Sequence, residues 1–256
     1  MALLEIRDLT ITFGGLTALN KVSLHLNEPS VLGIIGPNGA GKTTLFNLVS
    51  GFLHPTGGEI LWRGKNIKGL KPPRVAALGL VRTFQANLVY RDASVLENII
   101  RASYLHVQTN LLQGVLNTKA YRRDEEAIAR RAREIIHFME MDDWSSAVAG
   151  SLPHGLQRKL GISMALACAP KVIMLDEPAA GMNATDTAHL MEKIRQLREE
   201  GIGVMLVEHD MRVVMGVCDH IIVLNYGQKI AEGTPREIQK DERVIEAYLG
   251  SEEAVT

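Results

Sequence analysis

Four stretches of the chain are almost continuously apolar: residues 31–35, 172–175, 204–207 and 221–224. Runs this short and rich in Val and Ile predict strands buried on both faces of a parallel sheet. Between them apolar residues recur at helical spacing, as in Leu190, Ile194 and Leu197, and Gly201 stands where a helix end needs positive φ. Strand and helix alternate, which predicts an α/β core. The start of the chain reads differently. Polar and apolar residues alternate over 3–13 and 22–26, and residues 59–62 follow the turn Pro55-Thr56-Gly57-Gly58. That pattern predicts a small antiparallel sheet beside the core. From about residue 95 to 166 no strand pattern occurs. There Ile128, Ala132, Ile135 and Met139 keep helical spacing, with Glu126 four residues before Arg130, so a helical insertion is expected. Near the end, Thr234-Pro235-Arg236-Glu237 has the layout of a capping box and predicts a helix over 234–250.

Length and composition narrow the class. The chain has 256 residues, 46% of them hydrophobic and 22% charged, which excludes general disorder. With 28 Lys and Arg against 29 Asp and Glu there is no global basic field for nucleic acid, and at 5% aromatic residues there is little for base stacking. Cys168 and Cys218 form neither a Cys-x-x-Cys pair nor a His-containing cluster, so they read as small buried residues in a reducing compartment. Glu5 and Asp8 interrupt the apolar run that a secretory signal would need. The conspicuous stretch without Lys, Arg, Asp or Glu, residues 102–118, contains His106, Gln108, Asn110, Gln113, Gly114 and Asn117. No membrane span is expected.

The chemistry begins with Gly36-Pro37-Asn38-Gly39-Ala40-Gly41-Lys42-Thr43, a G-x-x-x-x-G-K-[ST] sequence placed after the 31–35 strand and before a helix-like segment at 44–50. Glycines let the backbone wrap round an anion with its N–H groups inward, and the helix N-terminus adds a favourable dipole. In such a P-loop Lys42 reaches the β- and γ-phosphates and the Thr43 hydroxyl binds Mg²⁺. A second buried strand ends in Asp176-Glu177, at the sheet edge where parallel α/β folds bind ligands. Asp176 can hold Mg²⁺ through water, and Glu177 can take a proton from the water attacking the γ-phosphate. A third strand ends in Glu208-His209-Asp210, which brings the His209 imidazole to the same edge for contact with the γ-phosphate or that water.

The set formed by Gly36 to Thr43, Gln85, Leu152-Pro153-His154-Gly155-Leu156-Gln157, Asp176-Glu177 and His209 resembles the ATP-binding subunit of ABC transporters over essentially the whole chain. Phe13-Gly14-Gly15-Leu16, Arg82-Thr83-Phe84-Gln85, Asp176-Glu177-Pro178-Ala179-Ala180-Gly181-Met182-Asn183, Glu208-His209-Asp210-Met211 and Glu246-Ala247-Tyr248-Leu249-Gly250 are similar to the branched-chain amino acid importer group. The resemblance implies an α/β fold with a P-loop NTPase core, a mostly parallel sheet, a small antiparallel β subdomain and an inserted helical subdomain. It implies one ABC ATP-binding domain over 1–256. The β subdomain and P-loop core would occupy about 1–90, the helical insertion 91–166, the continued core 167–233 and a C-terminal helix 234–250.

Roles follow position by position. Phe13 would stack on adenine, and Gly36, Pro37, Asn38, Gly39, Ala40, Gly41, Lys42, Thr43 and Thr44 would surround the phosphates. Gln85 would touch Mg²⁺ or the attacking water, with Thr43 and Asp176 completing the metal set. Glu177, His209 and Lys42 would be catalytic. His154 and Gly155 would act in trans on ATP held by the opposite subunit, and residues 95–121 would dock on membrane subunits. Two positions depart from the family pattern: Pro153 stands where the signature LSGGQQ has Ser, and Asn183 where Asp is usual. Both bear on the site completed in trans: proline has neither hydroxyl nor N–H, and Asn183 would remove a charge from a loop that in the family crosses the dimer interface.

The resemblance therefore implies an ATP-hydrolysing subunit with ATP and Mg²⁺, powering a branched-chain amino acid importer. Its partners would be a second ABC ATPase subunit in a heterodimer, permease subunits and, indirectly, an extracytoplasmic substrate-binding protein. Its place would be cytoplasmic, peripheral on the inner face of the cell membrane. Alternatives are an importer for urea or amides, an exporter, or a soluble ABC ATPase without transport. A single P-loop and the lack of sustained heptads disfavour the last. A GTP switch would need an Asn-Lys-x-Asp motif, which the sequence lacks.

Overall fold

The computed structural model describes residues 2–27, 29–83, 89–104 and 118–252. Gln85 and residues 105–117 of the expected docking region lie outside them. The chain divides into two units, Met1–Arg82 with Lys171–Thr256, and Thr83–Pro170.

The first half of unit one runs β1 (Ala2–Phe13), β2 (Leu16–Asn27), β3 (Val31–Ile35), α1 (Lys42–Val49), β4 (Gly57–Trp62), β5 (Lys65–Asn66), α2 (Pro72–Ala77) and β6 (Leu80–Arg82). Unit two contributes α3 (Val95–Ser103), α4 (Lys119–Phe138) and α5 (His154–Ala167). The chain then returns through β7 (Val172–Asp176), α6 (Ala184–Glu199), β8 (Gly203–Val207), α7 (Met211–Val217), β9 (His220–Asn225), β10 (Gln228–Gly233), α8 (Pro235–Ile238) and α9 (Glu242–Glu252).

Two sheets build unit one: an antiparallel sheet in the order β2-β1-β4-β5, and a six-stranded sheet in the order β10-β9-β3-β8-β7-β6. In the larger sheet β9, β3, β8, β7 and β6 pair in parallel and β10 closes the edge antiparallel to β9. Every residue of β3, β7 and β8 is buried, as their unbroken apolar runs require. The strand β1 does not alternate throughout. Its buried residues step from Ile6 to Leu9, the register shifts there, and Asp8 takes positive φ of 47° in the bulge. A Cβ at Gly58 on the neighbouring strand would lie 2.4 Å from the Asp8 carbonyl, so the bulge demands glycine beside it. One hydrophobic core joins both sheets to α1, with Leu45 and Phe46 fully buried.

The expected C-terminal helix over 234–250 is two helices. Thr234 and Glu237 do form the capping box, yet α8 stops after four residues. Asp241 takes over: its carboxylate accepts from the Arg243 amide at 3.0 Å, and its carbonyl accepts from Val244 and Ile245, starting α9. An aspartate that offers the backbone its own acceptor competes with helix continuation. The helix α1 also begins two residues before the expected Thr44.

Within unit two, Ser94 and Glu97 cap α3 reciprocally, and Thr118 caps α4. Asn98 is fully buried and saturated, accepting from the Tyr90 amide and donating to the Tyr90 and Ser94 carbonyls. The Tyr104 hydroxyl donates to Glu125 at 2.5 Å, and this bond, with some burial, pushes its pKa up to about 12.

Phe46 ties α1 to both sheets. Phe46→Ala should lower stability by about 3–5 kcal/mol, read as a fall in the denaturant midpoint of unit one.

Candidate functional site

The loop between β3 and α1 is shaped by its glycines. A Cβ at Gly36 would sit 2.0 Å from the Leu224 carbonyl of β9, and one at Gly41 would sit 2.7 Å from the Leu19 side chain, both at positive φ. With those positions fixed, Gly41 becomes the N-cap of α1 and supplies no capping side chain. The first N–H groups of the helix are left for an anion. Beside them lies a cavity of about 350 Å³, bounded by Leu16 to Ala18 of the β1–β2 hairpin, loop residues 38–44, Glu177, and Tyr226 and Gly227 of the β9–β10 turn.

The Lys42 ammonium donates to the Gly36 carbonyl at 2.6 Å and the Pro37 carbonyl at 3.0 Å. Burial pushes its pKa down, while the Glu177 and Asp176 carboxylates hold against the fall. Both backbone groups of Gly36 are engaged, since its N–H also donates to the Tyr248 side chain of α9.

Strands β7 and β8 end next to each other, with Asp176 in register with Val207. Asp176 is buried and paired with Arg82 of β6 at 2.7 Å. The same guanidinium donates to Asn47 at 2.6 Å and Ser50 at 3.3 Å, and lies over the Phe46 ring at 5.5 Å. One buried cation therefore fastens the β7 carboxylate to the P-loop helix. Glu177 turns out of the strand at φ 48°, its N–H held by the Val207 carbonyl at 2.9 Å, and its side chain is about one-third exposed at the cavity wall. His209, largely exposed, places Nδ1 3.9 Å from Glu177 Oε1.

Lys42, Thr43, Thr44, Asn38, Gly39, Ala40, Gly41 and Glu177 thus line one cavity, with Gly36 and Pro37 behind Lys42. Phe13 is about half exposed and is not among the described residues lining it; its hairpin partner Leu16 is. Thr43 and Asp176 offer hard oxygen donors of the kind Mg²⁺ takes. Among the described residues no group of three or more His, Cys, Asp or Glu forms a metal cage. His154 and Gly155 open α5 in unit two, where Pro153 is the N-cap without a side-chain bond.

Arg82, Glu208, Tyr226 and Tyr248 had no assigned role in the sequence reading. Arg82 and Glu208 each follow an apolar run and look like solvated strand ends. Only the neighbouring strands reveal their burial.

The model of the ABC transporter family matches residues 19–180, most of the chain. The chain belongs to the ABC transporter family. A second model, described as branched-chain amino acid ATP-binding cassette transporter, matches residues 228–254 of this cassette. The cassette is 43% identical over 249 residues to the high-affinity branched-chain amino acid transport ATP-binding protein BraF of Pseudomonas aeruginosa, covering 97% of this chain and 98% of that protein. It is 41% identical to the corresponding LivG protein of Escherichia coli over the same shares. Among solved structures, a nucleotide-free ATP-binding cassette of an ABC transporter superposes with TM-score 0.85 at 31% identity, covering 97% and 99% of the two chains. A cassette in its ADP conformation gives the same score and identity, covering 98% and 99%. This cassette is thus an ABC-type ATPase, and among the described residues no helix is long and apolar enough to cross a membrane.

Removing Arg82 would leave the Asp176 carboxylate buried without its cation. Arg82→Leu should cost this cassette about 3–5 kcal/mol, and adding Asp176→Leu should recover part of it, measured by urea unfolding of both variants.

Proposed function

We propose that the chain is the ATP-hydrolysing subunit of a branched-chain amino acid importer. The observation that carries the reading is the arrangement at one sheet edge: a P-loop cavity with Lys42 on one side and Glu177 on the other, and His209 3.9 Å from Glu177. Supporting it is near full-length similarity to branched-chain amino acid transport ATP-binding proteins.

In this reading the phosphates of ATP lie on the 36–44 loop, and Lys42 exchanges its two carbonyl acceptors for β- and γ-phosphate oxygens. Adenine stacks on Phe13. Glu177 takes a proton from the attacking water, and His209 orients that water or the γ-phosphate. Thr43, Asp176 and Gln85 would hold Mg²⁺, which when bound neutralises charge on the phosphates. The Arg82 contact holds Asp176 in place at the end of β7.

The chain works as one ATP-binding domain whose insertion, through residues 95–121, docks on permease subunits at the inner face of the cell membrane. An extracytoplasmic binding protein delivers the amino acid. The second ATP site of the pair forms against the segment opened by Pro153, His154 and Gly155. Lacking the Ser hydroxyl, this segment favours a heterodimer in which the partner supplies an intact signature.

Lys42→Ala should weaken ATP binding about ten- to a hundredfold, the value of a charge-assisted contact, whereas Glu177→Gln should keep ATP affinity and lose nearly all turnover. Calorimetry and phosphate release read the two. Unchanged affinity in the first, or wild-type turnover in the second, would refute the assignments. Pro153→Ser in the isolated chain should raise its ATPase rate; no rise, with dimerisation confirmed, would show that Gly155 and the helix dipole suffice.

A further inference from the structure

Glu208 is a carboxylate with 1% of its surface exposed, and among the described residues its only ion-pair neighbour is the His209 ring at 3.9 Å. A carboxylate so deeply buried needs its oxygens hydrogen-bonded. Backbone amides supply the donors. Oε1 accepts from Ala179 N–H at 2.8 Å, and Oε2 accepts from His209 N–H at 3.0 Å and Asp210 N–H at 3.4 Å. The first amide belongs to the loop that follows Glu177, and the other two belong to the loop that carries His209.

We propose that Glu208 is a positioning residue for ATP hydrolysis, a buried clamp that fixes the Glu177 loop against the His209 loop. Glu177 lies between two anchors, its own amide on the Val207 carbonyl at 2.9 Å and the Ala179 amide on Glu208. With Pro178 between them the turn has little freedom left. It needs restraint, because Glu177 sits at φ 48°, a conformation a non-glycine residue keeps only when its surroundings impose it. The two oxygens of Glu208 divide the work. Oε1 holds the Ala179 amide and Oε2 the His209 and Asp210 amides, so a carboxylate one methylene shorter is set back from this arrangement.

The inference rests on the reading of Glu177 as the base. In the full chain, Glu208→Gln puts an NH₂ against one of the two loops. It should lower kcat roughly tenfold or more while the ATP KM stays within about twofold, the pattern of an arrangement used only in the transition state. Glu208→Asp keeps the charge but loses the reach, and should be as slow as Gln. Full turnover in Glu208→Asp, an unchanged kcat in Glu208→Gln, or kcat and ATP affinity falling together with thermal stability would overturn the proposal. Should the variants fail to fold, hydrogen exchange on the native chain decides. The Ala179 and His209 amides should exchange slowly, and exchange at the rate of exposed loop amides would overturn it. Wild-type turnover in Glu177→Gln would sink the base reading. A silent Glu208→Gln beside an inactive Glu177→Gln would sink this proposal alone.

Discussion

Two carboxylates are buried where β7 and β8 end, and the placement of Glu177 and His209 follows from how each carboxylate is partnered. Asp176 is matched by a cation from β6, and Glu208 by backbone amides from two loops. These are different physical solutions with different consequences. A guanidinium partner reaches outward to Asn47 and Ser50 and so ties three elements together. Amide partners instead fix the path of the backbone that donates them. The result is a buried floor beneath a wall that stays partly open to solvent. Glu177 and His209 stand on that floor, exposed enough to meet a water molecule yet held by buried neighbours.

Parallel pairing makes this possible. Because β3, β7 and β8 run the same way and in adjacent register, their carboxyl ends deliver the P-loop, Asp176-Glu177 and Glu208-His209 to one edge. Lys42 lies at the same edge. Its ammonium rests on two carbonyls of its own loop under a desolvation penalty that lowers its pKa. A phosphate in the cavity would offer full negative charge where the carbonyls offer only dipoles, and would compete for this ammonium. The Gly36 node extends the same logic to the C-terminal helix, whose Tyr248 side chain meets the Gly36 N–H.

The sequence made legible what depends on local pattern. The β3, β7 and β8 runs, the P-loop and the Thr234–Glu237 capping box are short-range features, and they stand where the local pattern puts them. Features that depend on a neighbour distant in sequence were not legible. Arg82 and Asp176 lie 94 positions apart, and nothing near either residue announces the pair. Glu208 reads as a solvated turn residue until the Ala179 loop is packed on it. The break between α8 and α9 turned on a single aspartate that offers the backbone its own acceptor.

The two departures from the family pattern separate what the fold requires from what a partner requires. Asn183 caps α6, accepting from the Asp186 amide at 2.8 Å and donating to the Asp186 carboxylate at 2.9 Å. An aspartate there would keep the first bond and set two carboxylates against each other, so Asp186 gives asparagine a local reason. Pro153 sits at φ −53°, a value its ring prefers, and its carbonyl still accepts from the Gln157 amide at 3.0 Å. Neither change strains the cassette that carries it. As the N-cap of α5, Pro153 offers no side-chain acceptor to the first amides of the helix, where a Ser would offer its hydroxyl. If, as proposed, this segment faces ATP held by another subunit, the same missing hydroxyl would let paired ATP sites diverge, one keeping full chemistry while the other serves mainly to hold nucleotide.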